Sequence, residues 1–135
     1  MENTLITGRD EDITTAKAIE LFKSQKGGLY FSQKQTKEEL VFIVGKNFEK
    51  NIVDNCATYS EIIQQVKSTD IEVSFIILDY IQLFEEMSIV HLVKYLNEKN
   101  IGMIVIAWPD RSGKLRISSN EDIIPLFNNI IRFNS

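Results

Sequence analysis

The chain has 135 residues, of which 44% are hydrophobic, enough for one domain with a complete core. Its 15 Lys and Arg residues against 19 Asp and Glu residues give a net charge of −4, so the composition offers no general attraction for nucleic acid or for anionic membranes. A single cysteine and a single histidine exclude an internal disulfide and a zinc site of clustered Cys and His side chains, and we expect no metal and no cofactor.

The termini and the apolar runs bear on the compartment of the protein. No apolar run approaches the ~20 residues of a membrane span. The first residues, MENTLITGRDED, are acidic where a signal peptide would be basic. We therefore expect a cytoplasmic protein without a membrane partner, folded as a single domain over residues 1–135.

Short apolar runs alternate with helical patterns along the whole chain. In chain order, the predicted elements are a strand at 4–7, a helix at 13–25, a strand at 29–32, a helix after Thr36, a strand at 51–55, a helix after Thr58, a strand at 73–78, a helix at about 89–96, a strand at 103–108, a small hairpin at 110–118 and a strand at 129–133. Thr36 with Glu39, and Thr58 with Glu61, have the spacing of capping boxes. In the first helix, we expect a buried face made of Ala16, Ile19 and Phe22.

This alternation predicts a three-layer α/β fold with a mostly parallel sheet and helices on both faces. The runs before Asp79 and before Trp108 are apolar throughout, which is typical of central parallel strands. The core should therefore contain Ile76, Leu78, Ile104 and Ile106. Trp108 itself either closes one end of the core or is exposed for a partner.

The stretch FIILDYIQLF at 75–84 carries the first functional signal, because its apolar run ends in Asp79. Many nucleotide-hydrolysing domains place a carboxylate at the C-terminal end of a buried parallel strand, where it can hold a magnesium ion. A structural aspartate that accepts hydrogen bonds at the strand end is the other interpretation.

Four segments, taken in order, resemble the core of DnaB-type replicative helicases, which belong to the RecA-like ATPases. IILDYIQL is similar to the family's Walker B segment, LYFSQKQTKEEL to its second strand, NIVDNCATYSEI to its third strand, and MIVIAWPDR to the strand before its sensor region. The resemblance covers nearly the whole chain. It implies a RecA-like sheet in which the strand before Asp79 lies between LYFS and MIVIAW, with the first strand beyond MIVIAW.

The same resemblance implies a P-loop, G-x-x-x-x-G-K-[ST], at GRDEDITT, residues 8–15. Gly8 and Thr15 fit this pattern, but Ile13 replaces the second glycine and Thr14 replaces the lysine. A β-branched residue does not readily adopt the backbone angles of a P-loop, and threonine brings no positive charge to the phosphates. The chain thus resembles a degenerate, truncated version of the family core.

Two further changes concern the phosphates and the attacking water. Asp10, Glu11 and Asp12 would repel a triphosphate, and we expect them to cap the helix and interact with its dipole instead. The family's catalytic glutamate corresponds to Lys34, which cannot act as a base at neutral pH without a very large pKa shift.

The sequence therefore predicts a RecA-like module that is not an enzyme and that binds another protein, either a helicase or related ATPase or a second copy of itself. A nucleotide-binding sensor that does not hydrolyse its ligand stays open as an alternative. So does a receiver-like signalling domain in which Asp79 accepts a phosphoryl group. A receiver needs two acids directly after its first strand, where this chain has Gly8 and Arg9. It also needs a lysine after its last core strand, and no lysine follows Trp108 at that position.

We predict weak or absent binding of single-stranded DNA at physiological salt. The net charge is −4, and the short loop after the fourth strand carries Glu85 and Glu86. A fluorescence-anisotropy titration measures this affinity. Sub-micromolar binding that disappears in a variant with alanine at three basic positions would contradict the prediction and assign the binding to the turn that contains Arg111, Lys114 and Arg116.

Overall fold

The computed structural model describes residues 2–56, 58–84, 89–109 and 124–133. The predicted hairpin at 110–118 and the acids Glu85 and Glu86 lie outside these ranges. The strands are β1 (Asn3–Thr7), β2 (Gly28–Ser32), β3 (Ile52–Val53), β4 (Phe75–Asp79), β5 (Gly102–Ala107) and β6 (Asn129–Arg132). The α-helices are α1 (Glu11–Ser24), α2 (Lys37–Val44), α3 (Tyr59–Ser68) and α4 (Ile89–Glu98). Short 3₁₀ segments lie at Lys46–Asn51, Ile81–Leu83 and Ile124–Leu126.

The six strands form one sheet in the order β3-β2-β4-β5-β1-β6, and every neighbouring pair is parallel. Parallel neighbours need crossover connections, which explains why helices alternate with strands along the chain. β4 lies between β2 and β5, and β1 lies beyond β5, which is the order that the RecA-like resemblance implied. The predicted α/β fold with a mostly parallel sheet is confirmed, and the sheet is parallel throughout.

The side chains of each strand alternate between two apolar clusters, one on each face of the sheet. On one face the strands pack against α3 and α4, and on the other they pack against α1 and α2. Strands β4 and β5 are central in the sheet, as expected. The four residues predicted in the core are all buried: Ile76, Leu78, Ile104 and Ile106. The three-layer arrangement is therefore also confirmed.

Helix α1 differs from its prediction in two respects. It begins at Glu11 rather than at Ile13, because the carboxylate of Asp10 accepts a hydrogen bond from the backbone N–H of Asp12 at 3.0 Å and caps the helix there. Its fully buried residues are Thr14, Ala18 and Phe22, whereas Ala16 is exposed. The predicted face was wrong at Ala16. The buried residues are spaced i, i+4, i+8 and begin at Thr14, a polar residue that a pattern of apolar residues does not include.

The predicted starts of α2 and α3 agree with the structure, with a complete capping box at α3 and its threonine half at α2. At α3, Thr58 and Glu61 form a complete capping box, with the threonine hydroxyl accepting from the Glu61 N–H and the glutamate accepting from the Thr58 N–H. At α2, the hydroxyl of Thr36 accepts from the N–H of Glu39 at 3.1 Å. Among the described residues, no helix combines the length and apolar character needed to cross a membrane.

We predict that Gly28→Ala destabilises the fold through one identifiable contact. Gly28 pairs with Phe75 across β2 and β4, and a Cβ atom at Gly28 would lie 2.5 Å from Cζ of the Phe75 ring. Overpacking of this kind costs about 1–3 kcal/mol of unfolding free energy.

A double-mutant cycle with Phe75→Leu tests the cause, since the smaller side chain makes room for the new methyl group. In urea denaturation, Gly28→Ala should cost clearly less in the Phe75→Leu background than in the wild type. Equal costs in both backgrounds would show that the Phe75 ring does not set the penalty and would point to Phe22, whose Cδ1 atom would lie 3.1 Å from the new Cβ atom.

Candidate functional site

The predicted site residues meet at the carboxyl edge of the sheet. Asp79 ends β4, Lys34 follows β2 by two residues, Gly8 follows β1 and Trp108 follows β5. Because neighbouring strands are parallel, these four ends lie along one edge, which is where open α/β sheets bind their ligands.

Asp79 is fully buried at this edge and is held by one of its two oxygens. Its Oδ2 atom accepts hydrogen bonds from the hydroxyl of Tyr30 at 3.1 Å and from the hydroxyl of Ser32 at 3.2 Å. Its Oδ1 atom has no hydrogen-bond partner among the described residues. A buried carboxylate oxygen without a partner is costly, so the environment disfavours the ionised form of Asp79.

The pKa shifts agree with this geometry. Burial raises the pKa of Asp79, although the hydrogen bonds from Tyr30 and Ser32 and the charge of Lys34 act in the opposite direction. Burial, followed by the charge of Asp79, raises the pKa of Tyr30 well above its ordinary value, so this phenol is a neutral donor. A carboxylate that binds a metal or attacks phosphorus must be accessible to its ligand, and Asp79 is fully buried.

A magnesium site at Asp79 does not fit the residues around it. The carboxylate receives two hydroxyl hydrogen bonds on Oδ2, and its Oδ1 atom is shielded from solvent. Within the part of the chain that the structure describes, no group of three His, Cys, Asp or Glu residues is arranged to hold a metal ion. Magnesium is commonly bound through one or two carboxylates together with waters and substrate phosphates, and the one carboxylate at this edge is buried and already accepts two hydroxyl hydrogen bonds.

The segment that the resemblance assigns to a P-loop is helical over most of its length. Only Gly8, Arg9 and Asp10 connect β1 to α1, and the positions of the second glycine and the lysine, Ile13 and Thr14, lie inside the first turns of α1. A P-loop binds phosphate with free backbone N–H groups of an open loop. The expected capping role is confirmed for Asp10, and this cap begins the helix where such a loop would be.

The remaining positions of this segment have packing roles or lie near the surface. A Cβ atom at Gly8 would lie 3.1 Å from Cβ of Phe133 and 3.2 Å from Cγ2 of Thr14, so the glycine permits close packing beside β6. Ile13 is exposed and Thr15 is half-buried. Packing within the chain therefore accounts for the glycine at position 8.

Thr14 faces the core and binds Tyr80. Its hydroxyl lies 2.9 Å from the hydroxyl of Tyr80, and both residues are fully buried. Tyr80 has a φ of +59°, an uncommon backbone conformation for a residue with a side chain. This left-handed turn directly after β4 brings the Tyr80 ring beneath α1. At the position of the P-loop lysine, the chain therefore has a buried hydroxyl that ties α1 to β4.

Four side chains cover this edge of the sheet, and we call them the closing layer: Glu11, Lys34, Tyr80 and Trp108. Nζ of Lys34 forms an ion pair with the carboxylate of Glu11, which joins the end of β2 to the start of α1. The same Nζ lies 4.8 Å from the centroid of the Tyr80 ring, within cation–π range. The Tyr80 ring in turn stacks on the Trp108 indole, with centroids 4.4 Å apart and an interplanar angle of 23°.

Lys34 is a cation in this setting. Partial burial alone would lower its pKa, but the hydrogen bond to Glu11 and the fields of Tyr80, Glu11 and Asp79 outweigh that effect, and the pKa is raised. A general base needs an unprotonated nitrogen near neutral pH. The position that the resemblance gives to the catalytic glutamate is thus occupied by a group that cannot accept a proton from water.

Gln82 and Trp108 form a contact that the sequence did not predict. Nε2 of Gln82 donates to the Trp108 carbonyl at 3.0 Å, and the Trp108 N–H donates to Oε1 of Gln82 at 3.3 Å. This pair of bonds fixes the end of β5 beside the turn after β4. Of the two interpretations of Trp108, the structure supports the one in which the indole closes one end of the core.

The roles of Tyr30 and Ser32 were also missed. In the sequence, these residues belong to the strand LYFS, where only the apolar pattern was interpreted. Ser32 is the register partner of Asp79 on the neighbouring strand, so its hydroxyl lies beside the carboxylate. A polar residue at the end of a buried strand, next to a strand that ends in an acid, is the signal that could have found it.

Comparison of the sequence with protein-family models gives no match, and comparison with curated proteins gives none either. The function of the chain therefore has to be argued from its fold and from the geometry of this edge.

We predict that Asp79→Asn becomes increasingly favourable for stability as the pH rises. A pKa that is higher in the folded state means that the folded state binds the proton more tightly. The resulting stabilisation is complete below the unfolded-state pKa of about 4 and is lost as the pH rises through the raised value. Asparagine cannot ionise, so the variant avoids this loss.

Urea denaturation at several pH values from about 4 upward measures the difference in unfolding free energy between the variant and the wild type. Asp70→Asn, which removes an exposed carboxylate, controls for the loss of one negative charge. A difference for Asp79→Asn that stays constant with pH, or that changes in the opposite direction, would contradict the prediction.

Proposed function

We propose that the chain is a non-catalytic RecA-like module, similar to the core of DnaB-type helicases, that acts by binding another protein. The observation that carries this proposal is the closing layer, whose Glu11–Lys34 ion pair lies between the start of α1 and the end of β2. In a RecA-like ATPase, the triphosphate would lie between these two elements. The strand order and the four similar segments support the relationship to that class.

Three chemical requirements of ATP hydrolysis argue for the absence of catalysis. The N–H of Asp12 at the start of α1 already donates to the Asp10 carboxylate, the carboxylate that would hold magnesium is buried, and the residue that would activate water is a cation. The residues at these places instead contact one another: Thr14 with Tyr80, Asp79 with Ser32, and Glu11 with Lys34. Interactions within the chain thus replace those with a nucleotide.

The proposed partner is a helicase or a related ATPase, and this choice rests on analogy of fold. RecA-like domains associate with one another through surfaces of the same sheet and helices, so a module that lost catalysis can still use them. A pull-down from the native host followed by mass spectrometry would identify the partner. Binding of the purified candidate then has to be reproduced by size-exclusion chromatography.

A nucleotide sensor without hydrolysis is the second candidate, and one observation favours it. The side chains of Lys34 and Glu11 are 35% and 34% exposed, and an ion pair at the surface contributes only about 0–1 kcal/mol. A nucleotide could open this pair at little cost. The receiver-like alternative is less well supported, because a phosphoryl donor would have to reach the buried carboxylate of Asp79.

We predict no nucleotide binding and no turnover at millimolar ATP·Mg. A ligand at about one hundred times its Kd stabilises the folded state by roughly 2.7 kcal/mol, which is worth several degrees in melting temperature for a domain of this size. We expect no such shift and no phosphate release above a control without protein. Trp108, the single tryptophan, supplies a second readout because its indole belongs to the closing layer, and its fluorescence should not respond to ATP·Mg.

The opposite outcomes separate the candidates. A melting shift with a change in Trp108 fluorescence, but without phosphate release, would favour the sensor over the non-catalytic binding module. The variant Lys34→Gln, which removes the ion pair, should then bind nucleotide at least as well as the wild type. Turnover that is lost in Asp79→Ala would overturn the proposal, since a base other than Lys34 would be required.

A further inference from the structure

A pocket at the carboxyl edge opens beyond the closing layer, where β1 and β6 end. Its volume of about 360 Å³ lies within the range of small-molecule sites. Strand β5 separates β1 and β6 from β4, which ends in Asp79. The described residues that line the pocket include two arginines and no acid: Thr7, Gly8, Arg9, Pro109, Arg132 and Phe133.

Thr7 and Arg132 project their side chains from the same face of the sheet. They are register partners on β1 and β6, and partners in a parallel pair share a face. Thr7 follows Ile6, which packs on the side of α1 and α2, so the shared face is the one covered by α3 and α4. Asp79 and Tyr30 belong to the opposite face. The two side chains therefore have different surroundings from the buried carboxylate.

The hydroxyl of Thr7 lacks a partner. Thr7 is only 8% exposed, and its Oγ1 atom makes no hydrogen bond with any described residue. Its register partners are Ala107 on β5, whose side chain has no acceptor, and Arg132 on β6, whose side chain has donors only. A buried hydroxyl without an acceptor is costly, so the missing group is one that accepts hydrogen bonds. Rotation about the Cα–Cβ bond exchanges the hydroxyl with the methyl group and can turn it toward a ligand in the pocket.

Arg9 and Arg132 are the cations of this pocket. Both are exposed, and neither guanidinium group forms an ion pair or a hydrogen bond with a described residue. The neighbouring acid in the sequence, Asp10, uses its Oδ1 atom to cap α1. A guanidinium group offers a planar fork of donors that matches the oxygens of a carboxylate or a phosphate. Two such groups at one pocket supply two positive charges for a ligand.

We propose that this pocket binds a small oxyanion with two negative charges, held by Arg9 and Arg132 and accepting a further hydrogen bond from the Thr7 hydroxyl. A phosphate group and a dicarboxylate share this chemistry. The charges of the ligand balance those of the arginines, and its oxygens supply the acceptor that Thr7 lacks. Because both arginines are exposed, we expect a Kd of about 5 mM. The proposal does not depend on the function proposed above, since neither arginine belongs to the closing layer.

A heteronuclear NMR titration of the isotope-labelled full chain measures this binding and locates it. Inorganic phosphate and succinate are the two probes, used at about pH 8, where phosphate is a dianion. Acetate and chloride at matched ionic strength are the controls, because they screen charge without the second negative group. The backbone amide signals of Gly8, Arg9 and Phe133 should move saturably with at least one probe and at least about tenfold more weakly with the controls. The probe with the lower Kd identifies the ligand class as a phosphate or a dicarboxylate.

Substitutions of the arginines test the charge requirement. Arg9→Gln and Arg132→Gln should each raise the Kd about tenfold, because each removes one set of charge-assisted hydrogen bonds. Arg132→Lys, which keeps the charge but loses the fork, should give an intermediate Kd. Lys50→Gln is the matched control and should leave the Kd unchanged, since Lys50 is exposed just before β3, at the other edge of the sheet. Circular dichroism verifies that these variants at exposed positions remain folded.

Thr7→Val separates a ligand donor from a residue that only fills space. Valine has nearly the same shape without the hydroxyl, so the chain without anion should melt at a temperature at least as high as that of the wild type. The Kd for the tighter probe should nevertheless rise about threefold to tenfold. A purely structural role of Thr7 would leave that Kd unchanged.

Three results would overturn the proposal. Signals that do not saturate with either probe, or that move equally with acetate or chloride, mean that the pocket attracts an adventitious ion only. A Kd that is unchanged in both glutamine variants places the binding elsewhere on the chain. A Kd that is unchanged in Thr7→Val contradicts the arrangement in which the buried hydroxyl binds the ligand.

Discussion

The buried carboxylate of Asp79 is the interaction on which the carboxyl edge of the sheet depends. A carboxylate without exposure to water needs donors from its neighbours, and Tyr30 and Ser32 on the adjacent strand supply them to one oxygen. Strand β4 ends at this point, because the backbone of Tyr80 has a positive φ and turns its ring under α1. The position of Asp79 at the end of a central strand thus determines which polar residues surround it and where the chain turns.

The closing layer follows from this turn. Once the Tyr80 ring lies beneath α1, Trp108 can stack on it and Lys34 can approach it while pairing with Glu11. Gln82 then binds both backbone groups of Trp108, so that the ends of β4 and β5 are held together by side chains as well as by the sheet. A crevice that open α/β sheets commonly use for ligands is covered here by the protein's own side chains.

The closing layer and α2 are neighbours on the same side of the sheet. α1 and α2 both pack on the face that contains Tyr80 and Trp108, and α2 begins three residues after Lys34. The two charged groups of the closing layer pair with each other, whereas the outer surface of α2 leaves apolar area in solvent.

The sequence by itself determined the order of the described strands and α-helices and the parallel sheet, because these depend on local patterns. Apolar runs indicate buried strands, and Thr58 with Glu61 indicates a helix start through contacts only three residues apart. The buried face of α1 was predicted incorrectly, since the pattern of apolar residues omits Thr14. Only the tertiary structure decided that Thr14 binds Tyr80, that Lys34 pairs with Glu11 and that Gln82 holds Trp108. These partners lie 66, 23 and 26 residues apart along the chain, and no local spacing encodes contacts that arise when parallel strands bring their ends to one edge.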